Sequence, residues 1–271
     1  MNEDHESSTS PTSRPSSARM YDYYLGGAHN FEVDRIQAEK AIAIYRDFPK
    51  IMRANRAFLR RVVSFLAREG VDQFLDLGSG IPTVGNVHET AQHINPTARI
   101  LYVDIDPIAV AQSASLLRNN PYASAIQGDL REPEIILNHE ETRQLLNFQR
   151  PVAVILAFVL HFIPDDNQVD HIVRVFRAAL VPRSYLVISH SSGDGTKDAH
   201  DALISLYRQS NILIKPRRHS YFERWFAGLE IVDPGIVYTP QWRPESADDL
   251  YLNDPQSASG IAAVGRIPTA L

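Results

Sequence analysis

After Gly70, short apolar runs alternate along the chain with longer segments whose apolar residues recur at helical spacing. This alternation is typical of βαβ units, in which helices join parallel strands and cover both faces of one sheet. Strands are predicted at residues 73–77, 99–104, 124–127, 152–157 and 185–189, and helices near 84–94, 107–118, 140–148, 167–180 and 197–210. The pattern therefore predicts an α/β fold with a doubly wound, mostly parallel sheet.

The C-terminal part of the chain has a different pattern. Apolar runs at 230–232 and 235–238 flank Pro234, a third covers residues 261–267, and no helix-length segment follows residue 228. We expect a closing hairpin here, antiparallel at one edge of the sheet.

The N-terminal part is predicted to contain a tail and two helices. Residues 1–18 are rich in Ser, Thr and Pro without apolar periodicity, so a disordered tail is expected. Residues 32–47 and 50–69 have helical periodicity, with Pro49 between them and Gly70 as a C-cap. We expect a single domain over 19–271, with a lid and helices at 19–70 and the sheet-containing core at 71–271.

The predicted lid, residues 21–31, combines tyrosines, paired glycines, a histidine and an asparagine. Tyrosine rings with a polar tip beside flexible glycines suit a segment that closes over a ligand. The alternative is a connection between helices whose tyrosines fill the core. If the segment is a lid, its candidate binding residues are Tyr24, His29 and Asn30.

Composition and charge narrow the function classes. The 271 residues are 44% hydrophobic and 22% charged, and the absence of Cys excludes thiolate zinc sites, Fe–S ligation and thiol nucleophiles. The longest apolar run is about half of the ~20 residues of a membrane span, and the first residues do not resemble a secretory signal, so a cytoplasmic protein without a membrane segment is expected. A net charge of −5 does not favour nucleic acid as a partner. Oligomeric state is not indicated.

Four arginines are predicted to form the solvated side of the helix at 50–69: Arg53, Arg56, Arg60 and Arg61.

The sharpest chemical motif ends the first predicted strand, where Asp76 is followed by Gly78, Ser79 and Gly80. Glycines let a tight strand-to-helix turn approach a ligand, and the following helix N-terminus offers free N–H groups. A dinucleotide-binding turn would continue to a third glycine, but position 83 is Thr. The motif indicates a nucleotide-like ligand and weakens the NAD alternative.

Acidic residues follow the next two strands. Asp104, with Ile105 after it, is placed to accept the hydroxyls of a ribose, whereas Asp106 is predicted to cap the helix that opens at Pro107. A metal-binding Asp-x-Asp pair is disfavoured because it does not explain the glycine turn, and no metal site is predicted. After the third strand, Asp129 and Leu130 are candidate adenine contacts. The three turns are expected to converge, because the carboxyl ends of parallel strands meet at one crevice.

With these motifs the chain resembles a class I S-adenosylmethionine-dependent methyltransferase. More closely, it is similar to a bacterial S-adenosyl methyltransferase family formerly classed as a domain of unknown function, through YDYYLGG (21–27), HNF (29–31), NVHE (86–89), RPVA (150–153) and LHFI (160–163). The resemblance implies a Rossmann-like, seven-stranded sheet with one antiparallel strand, S-adenosylmethionine as cofactor, and no particular substrate. Ala157, the last residue of the predicted fourth strand, completes the candidate cofactor residues.

Direct in-line transfer of a methyl group needs positioning and exclusion of water but no nucleophilic residue. His161 is the candidate base for an acceptor, with a packed core histidine as the equal alternative, and His190 is expected to order a loop. The preferred function is a methyltransferase acting on an unidentified small-molecule acceptor. The alternatives are an S-adenosylmethionine-binding protein without turnover, acting as a sensor or partner subunit, and an NAD-dependent oxidoreductase.

Overall fold

A computed structural model describes residues 12–82, 85–194, 197–246 and 249–269 of the chain. The strands are β1 (Gln73–Leu77), β2 (Arg99–Asp104), β3 (Ala123–Gln127), β4 (Ala153–Ala157), β5 (Tyr185–Ser191), β6 (Glu230–Ile231), β7 (Val237–Tyr238) and β8 (Gly260–Arg266). The helices are α1 (Ser17–Tyr24), α2 (Glu32–Ile44), α3 (Phe48–Arg68), α4 (Val87–Ile94), α5 (Pro107–Leu117), α6 (Pro133–Asn138), α7 (Glu140–Leu145), α8 (Asp166–Ala178), α9 (Lys197–Gln209) and α10 (His219–Trp225).

Within these ranges, eight strands form one sheet in the order β3-β2-β1-β4-β5-β8-β6, and β7 also pairs with β8. Strands β1 to β5 are parallel, and β8 runs antiparallel to β5, β6 and β7. β6 pairs with the Gly265 end of β8 and β7 with the Ile261 end, so the two short strands form one interrupted edge. Pro234, which has no N–H, lies in the interruption. The sheet thus has seven strand positions and one antiparallel strand, which confirms the predicted fold.

Helices pack against both faces of the sheet. Leu75 belongs to a buried cluster that contains Phe176 of α8, whereas Phe74 belongs to the opposite cluster with Phe58 of α3. Side chains alternate along a strand, so Asp76 points to the same face as Phe74, towards α3. The strand register therefore places a carboxylate between the sheet and α3.

A third apolar cluster covers the carboxyl ends of the strands. It joins Tyr24 of α1, Ala41 of α2 and Met52 of α3 to Tyr207 of α9 and to Phe158, which follows β4. The N-terminal helices are thus packed onto the edge of the sheet where parallel α/β proteins bind ligands.

Several element bounds differ from the sequence-based prediction. Pro49 does not separate two helices but lies in the first turn of α3, where its missing N–H costs no hydrogen bond. Residues 1–11 of the predicted tail lie outside the described residues, and α1 already begins at Ser17. Helices α6 and α10 were not predicted; both are short and carry few periodic positions.

None of the helices in the described ranges is long and apolar enough to cross a membrane.

Candidate functional site

A cavity of about 600 Å³ lies at the carboxyl ends of β1, β2 and β4, under residues of α1, α3 and α9. Most of the residues singled out from the sequence line it: Tyr24, Asp76, Gly78, Ser79, Gly80, Asp104, Ile105, Asp129, Leu130, Ala157 and His161. The structure therefore brings together three turns that lie far apart in the sequence.

The glycine turn is fixed against β2 through its backbone. The N–H groups of Gly78 and Ser79 both donate to the carbonyl oxygen of Val103, at 2.8 and 3.1 Å. Gly78 has a φ of +66°, and a Cβ atom there would lie 2.2 Å from the side chain of Val159. Only glycine fits this position, because any other residue would be strained and would displace Val159.

Asp104 links the first turn to the second. Its Oδ2 accepts a hydrogen bond from the N–H of Gly80 at 2.7 Å, and its Oδ1 accepts one from the N–H of Asp106 at 2.9 Å. Burial raises the pKa of Asp104, although these N–H donors oppose the shift. Ile105 extends into the cavity and is 55% exposed, which leaves an apolar surface beside the acid.

The third turn has a preformed internal ion pair. Asp129 accepts hydrogen bonds from the backbone N–H and from Nε of Arg131, both at 2.9 Å, and hydrogen bonding to Arg131 lowers its pKa. Leu130 is buried beside it. Gly128 packs against β2, where a Cβ atom would lie 2.8 Å from Val103. The Asp129 carboxylate is thus ionised and already held by Arg131 at the cavity wall.

Asp76 is a buried carboxylate that faces α3. Burial raises the pKa of Asp76 to about 7, with the charge of Arg56 opposing the shift and that of Asp104 adding to it. Among the described residues, no hydrogen bond to this carboxylate is found. Arg56 also lines the cavity, with Cζ 5.5 Å from the ring centroid of Tyr21. The expectation that Arg56 belongs to a solvated helix face is therefore wrong, and so is that for Arg61, which is buried and donates to the Trp242 carbonyl.

His29 and Asn30 do not line the cavity, in contrast to the sequence-based prediction. The His29 N–H and the Asn30 side-chain amide both donate to Oδ2 of buried Asp22, at 2.9 and 2.8 Å. The His29 backbone N–H and the Asn30 side chain thus order the turn after α1. Tyr24 does reach the cavity, where its hydroxyl lies 3.0 Å from that of Tyr207.

A buried ion network, which sequence reasoning missed, connects α1 to the second turn. Arg19 is 2% exposed; its Nε donates to Asp34 at 2.8 Å, and its Nη1 donates to Asp106 at 2.9 Å. Asp106 also caps α5 by accepting from the Ile108 N–H, as predicted. Nothing in the sequence pairs Arg19 with acids 15 and 87 residues away.

The opposite wall of the cavity is largely aromatic. The His161 ring is buried among Phe158, Phe162 and His190, and burial lowers its pKa well below the ordinary value. Its Nδ1 has no hydrogen-bond partner in the described part of the chain. His190 lies behind it; its ring contacts the Ser191 carbonyl at 2.7 Å, and burial lowers its pKa to about 3.

Arg217, also missed from the sequence, holds this wall in place. Its guanidinium donates to the carbonyl oxygens of Leu160 and Ile163, at 3.2 and 2.8 Å, and to Asp166 at 3.0 Å. It also lies 3.2 Å from Nε2 of His190. A single buried cation thus ties the segment after β4 to the end of β5.

The sheet order and the converging turns are those of the class I methyltransferase fold. The S-adenosyl methyltransferase family model matches residues 3–268, and the chain belongs to this family. Its enzyme class is therefore an S-adenosylmethionine-dependent methyltransferase, and S-adenosylmethionine is its cofactor, as the sequence predicted.

Solved structures agree with this assignment. A proposed methyltransferase from Thermobifida fusca is 40% identical, with a TM-score of 0.88 over 94% of this chain and 96% of that one. A DUF574 family protein from Streptomyces avermitilis is 35% identical, with a TM-score of 0.90 over 95% and 99% of the two chains. An O-methyltransferase family protein from Burkholderia thailandensis shares the fold alone, at 14% identity and a TM-score of 0.50 over 92% of this chain and 64% of that one. No curated protein sequence matches the chain.

Proposed function

We propose that this methyltransferase acts on a small, uncharged and largely apolar acceptor. The observation that carries the proposal is the composition of the cavity, in which a polar wall built from the three turns faces an aromatic wall under α1 and α9. Both walls line one continuous space, so a cofactor on the first and an acceptor on the second would meet inside it.

The polar wall fits an adenosyl group. Asp104 presents buried carboxylate oxygens to ribose hydroxyls, and Ile105 offers an exposed apolar surface to a flat base. The space beside Gly80 is open, with no heavy atom within 4 Å of where a Cβ would stand. Asp76, Gly78, Ser79, Asp129, Leu130, Ala157 and Tyr24 complete the proposed set, from which His29 and Asn30 are now left out. When bound, S-adenosylmethionine supplies an electrophilic methyl group on a sulfonium sulfur.

The aromatic wall selects the acceptor. Charged residues of the cavity lining lie at the ends of β1, β2 and β3 and on α3, apart from Asp165, whose carboxylate caps α8. A charged acceptor placed against the aromatic wall would lose its hydration without gaining a counter-ion. Lining residues of this wall include Tyr45, Phe48, Ile51, Met52, Phe158, Phe162, Leu203, Tyr207 and Ile214.

His161 is the proposed contact to the reacting group of the acceptor. Burial keeps the imidazole neutral at physiological pH, so a ring nitrogen can accept a hydrogen bond from a hydroxyl or an amine. A strongly lowered pKa makes it a weak proton acceptor, so its main contribution would be orientation of the nucleophile. Helices α1 and α9 close the space and keep water away from the reacting atoms.

The proposal is tested by ligand-observed NMR on protein saturated with S-adenosylhomocysteine. A fragment set of phenols, indoles, alicyclic alcohols, aliphatic amines, aromatic acids, acidic peptides and short RNA is screened against the wild type and against Leu203→Trp, which fills the aromatic wall. Hits are then incubated with methyl-tritiated S-adenosylmethionine to detect transfer.

We expect uncharged aromatic or alicyclic fragments to bind the wild type and to be lost in Leu203→Trp, whereas S-adenosylhomocysteine affinity stays the same. Leu116→Trp, at an exposed position of α5, is the matched control and should retain every hit. Binding or methylation confined to charged fragments, peptides or RNA would contradict the proposal. Fragment binding without transfer across the whole set would favour a binding protein without turnover.

A further inference from the structure

Arg56 of α3 lines the cavity close to the glycine turn, and the three turns do not account for it. Its Nε is buried and has no hydrogen-bond partner in the described residues. Arg131, which also lines the cavity, is by contrast paired with Asp129. A buried donor without a partner destabilises a protein, so the unpaired Nε of Arg56 inside a binding cavity points to a ligand that supplies the acceptor.

The position of Arg56 is fixed by its neighbours on α1 and α3. The guanidinium lies over the ring of Tyr21, at 5.5 Å from the centroid. The Tyr21 hydroxyl accepts from Asn55 Nδ2 at 3.0 Å, and Asn55 Oδ1 accepts from the Ser189 hydroxyl at 2.6 Å. This chain of contacts runs from α1 through α3 to β5, so the cation is held by packed elements and not by a flexible loop.

Asp76 is the second ionisable side chain in the part of the cavity that Arg56 lines. It lies on the face of β1 that points to α3, and the Arg56 charge acts on its pKa. An arginine and a carboxyl group that line one cavity and whose charges interact match a zwitterion. The methionyl end of S-adenosylmethionine carries an α-ammonium and an α-carboxylate. If the ammonium lies against the Asp76 carboxylate, the α-carboxylate is left to pair with the arginine.

We infer that Arg56 binds the α-carboxylate of the cofactor. The inference rests on the cofactor site proposed above and is independent of the acceptor. An arginine presents paired N–H donors in the geometry of a carboxylate, so the contact would orient the methionyl arm and thereby the sulfonium. It assigns a binding role to the N-terminal helices, outside the sheet-containing core.

The inference is tested by calorimetric titration of Arg56→Gln, Arg56→Lys and wild type with three probes. The probes are S-adenosylhomocysteine, its decarboxylated analogue, which keeps the amine, and 5′-methylthioadenosine, which lacks both charged groups. Arg53→Gln is the matched control, because Arg53 is exposed on the same helix and does not line the cavity. Binding of 5′-methylthioadenosine reports whether each variant is folded.

We expect Arg56→Gln to weaken S-adenosylhomocysteine binding about 10- to 100-fold, the range for a hydrogen bond to a charged group, and Arg56→Lys to weaken it less. Binding of the decarboxylated analogue and of 5′-methylthioadenosine should not weaken. Equal losses for S-adenosylhomocysteine and the decarboxylated analogue would overturn the inference, because Arg56 would then act through Asp76 and not on the carboxylate. An unchanged affinity for all probes would overturn it too. A wild type that does not bind S-adenosylhomocysteine would overturn the cofactor site itself.

Discussion

The Asp104 carboxylate and the Gly80 N–H are 24 residues apart in the sequence and 2.7 Å apart in the structure. This hydrogen bond joins the carboxyl ends of β1 and β2, because the second oxygen of the same carboxylate accepts from the Asp106 N–H. One side chain therefore shapes two turns of the cavity and faces the space in which a ribose would lie.

Asp104→Ala should weaken S-adenosylhomocysteine binding by about 10- to 100-fold, since the proposed charge-assisted contacts to ribose hydroxyls and the support of the glycine turn would be lost. Asp104→Asn keeps one carbonyl oxygen and should weaken binding less. Calorimetric titration measures both. Asp72→Ala, which removes a surface partner of Arg150 at the other end of β1, should leave the affinity unchanged. Tight binding by Asp104→Ala would exclude Asp104 from the site.

Asp76 should make the ligand-free protein less stable as the pH rises. Burial raises its pKa from the ordinary 3.8 to about 7, so between these values the folded state binds more protons than the unfolded state. By linkage, the stability present at low pH is lost as pH rises from about 4 to about 7, and the loss is on the order of 2–4 kcal/mol.

Thermal unfolding of ligand-free wild type and Asp76→Asn at pH 5 and pH 8 measures this effect. The difference in melting temperature, Asp76→Asn minus wild type, should be more positive at pH 8 than at pH 5. The reason is that the wild-type carboxyl ionises between these pH values and the amide does not. Asp72→Asn serves as the control and should show no such pH dependence. Parallel curves for wild type and Asp76→Asn would refute the predicted ionisation.

Arg19 should be a main determinant of stability for the N-terminal segment. Arg19→Met leaves the buried carboxylates of Asp34 and Asp106 without their cation, which typically costs about 3–5 kcal/mol. Chemical denaturation measures the free energy of unfolding. Arg60→Met is the control, because Arg60 and Glu245 are each 46% exposed and such pairs contribute less than about 1 kcal/mol.

A double variant separates the charge effect from lost packing. Arg19→Met combined with Asp34→Asn removes one of the unpaired charges, so part of the lost stability should return. A double variant that is less stable than the wild type by the full sum of the two single effects would contradict the ion network.

The buried hydroxyls of Tyr24 and Tyr207 should be energetically coupled. Their oxygens lie 3.0 Å apart, and burial raises the pKa of both, so they form a neutral pair. Tyr24→Phe or Tyr207→Phe leaves one hydroxyl unpaired at a cost of about 1–3 kcal/mol. In a double-mutant cycle by urea unfolding, the double Phe variant should lose less than the sum of the single variants. Strict additivity would show that the hydroxyls do not interact.

The local chemistry of the strand ends could be predicted from the sequence. The glycine turn, Asp104 and Asp129 were predicted to converge because parallel strands place their carboxyl ends on one edge, and the structure brings them together. Asp106 was predicted to cap α5 because a cap depends on residues only two positions away. These features arise from contacts within a single βα unit or between neighbouring strands.

The N-terminal helices show what only the tertiary structure decided. Helical periodicity predicts which side of α3 packs against the sheet. It does not tell whether a residue at the border of that side, such as Arg56, faces bulk water or the cavity, because its spacing in the sequence is the same in both cases. Arg19 meets its acids only because α1 docks beside the second turn, and the His29 backbone N–H reaches Asp22 because the turn after α1 folds back on itself. Sequence spacing determined the strands and their turns; the docking of one helical layer on the sheet decided which further charges reach the site.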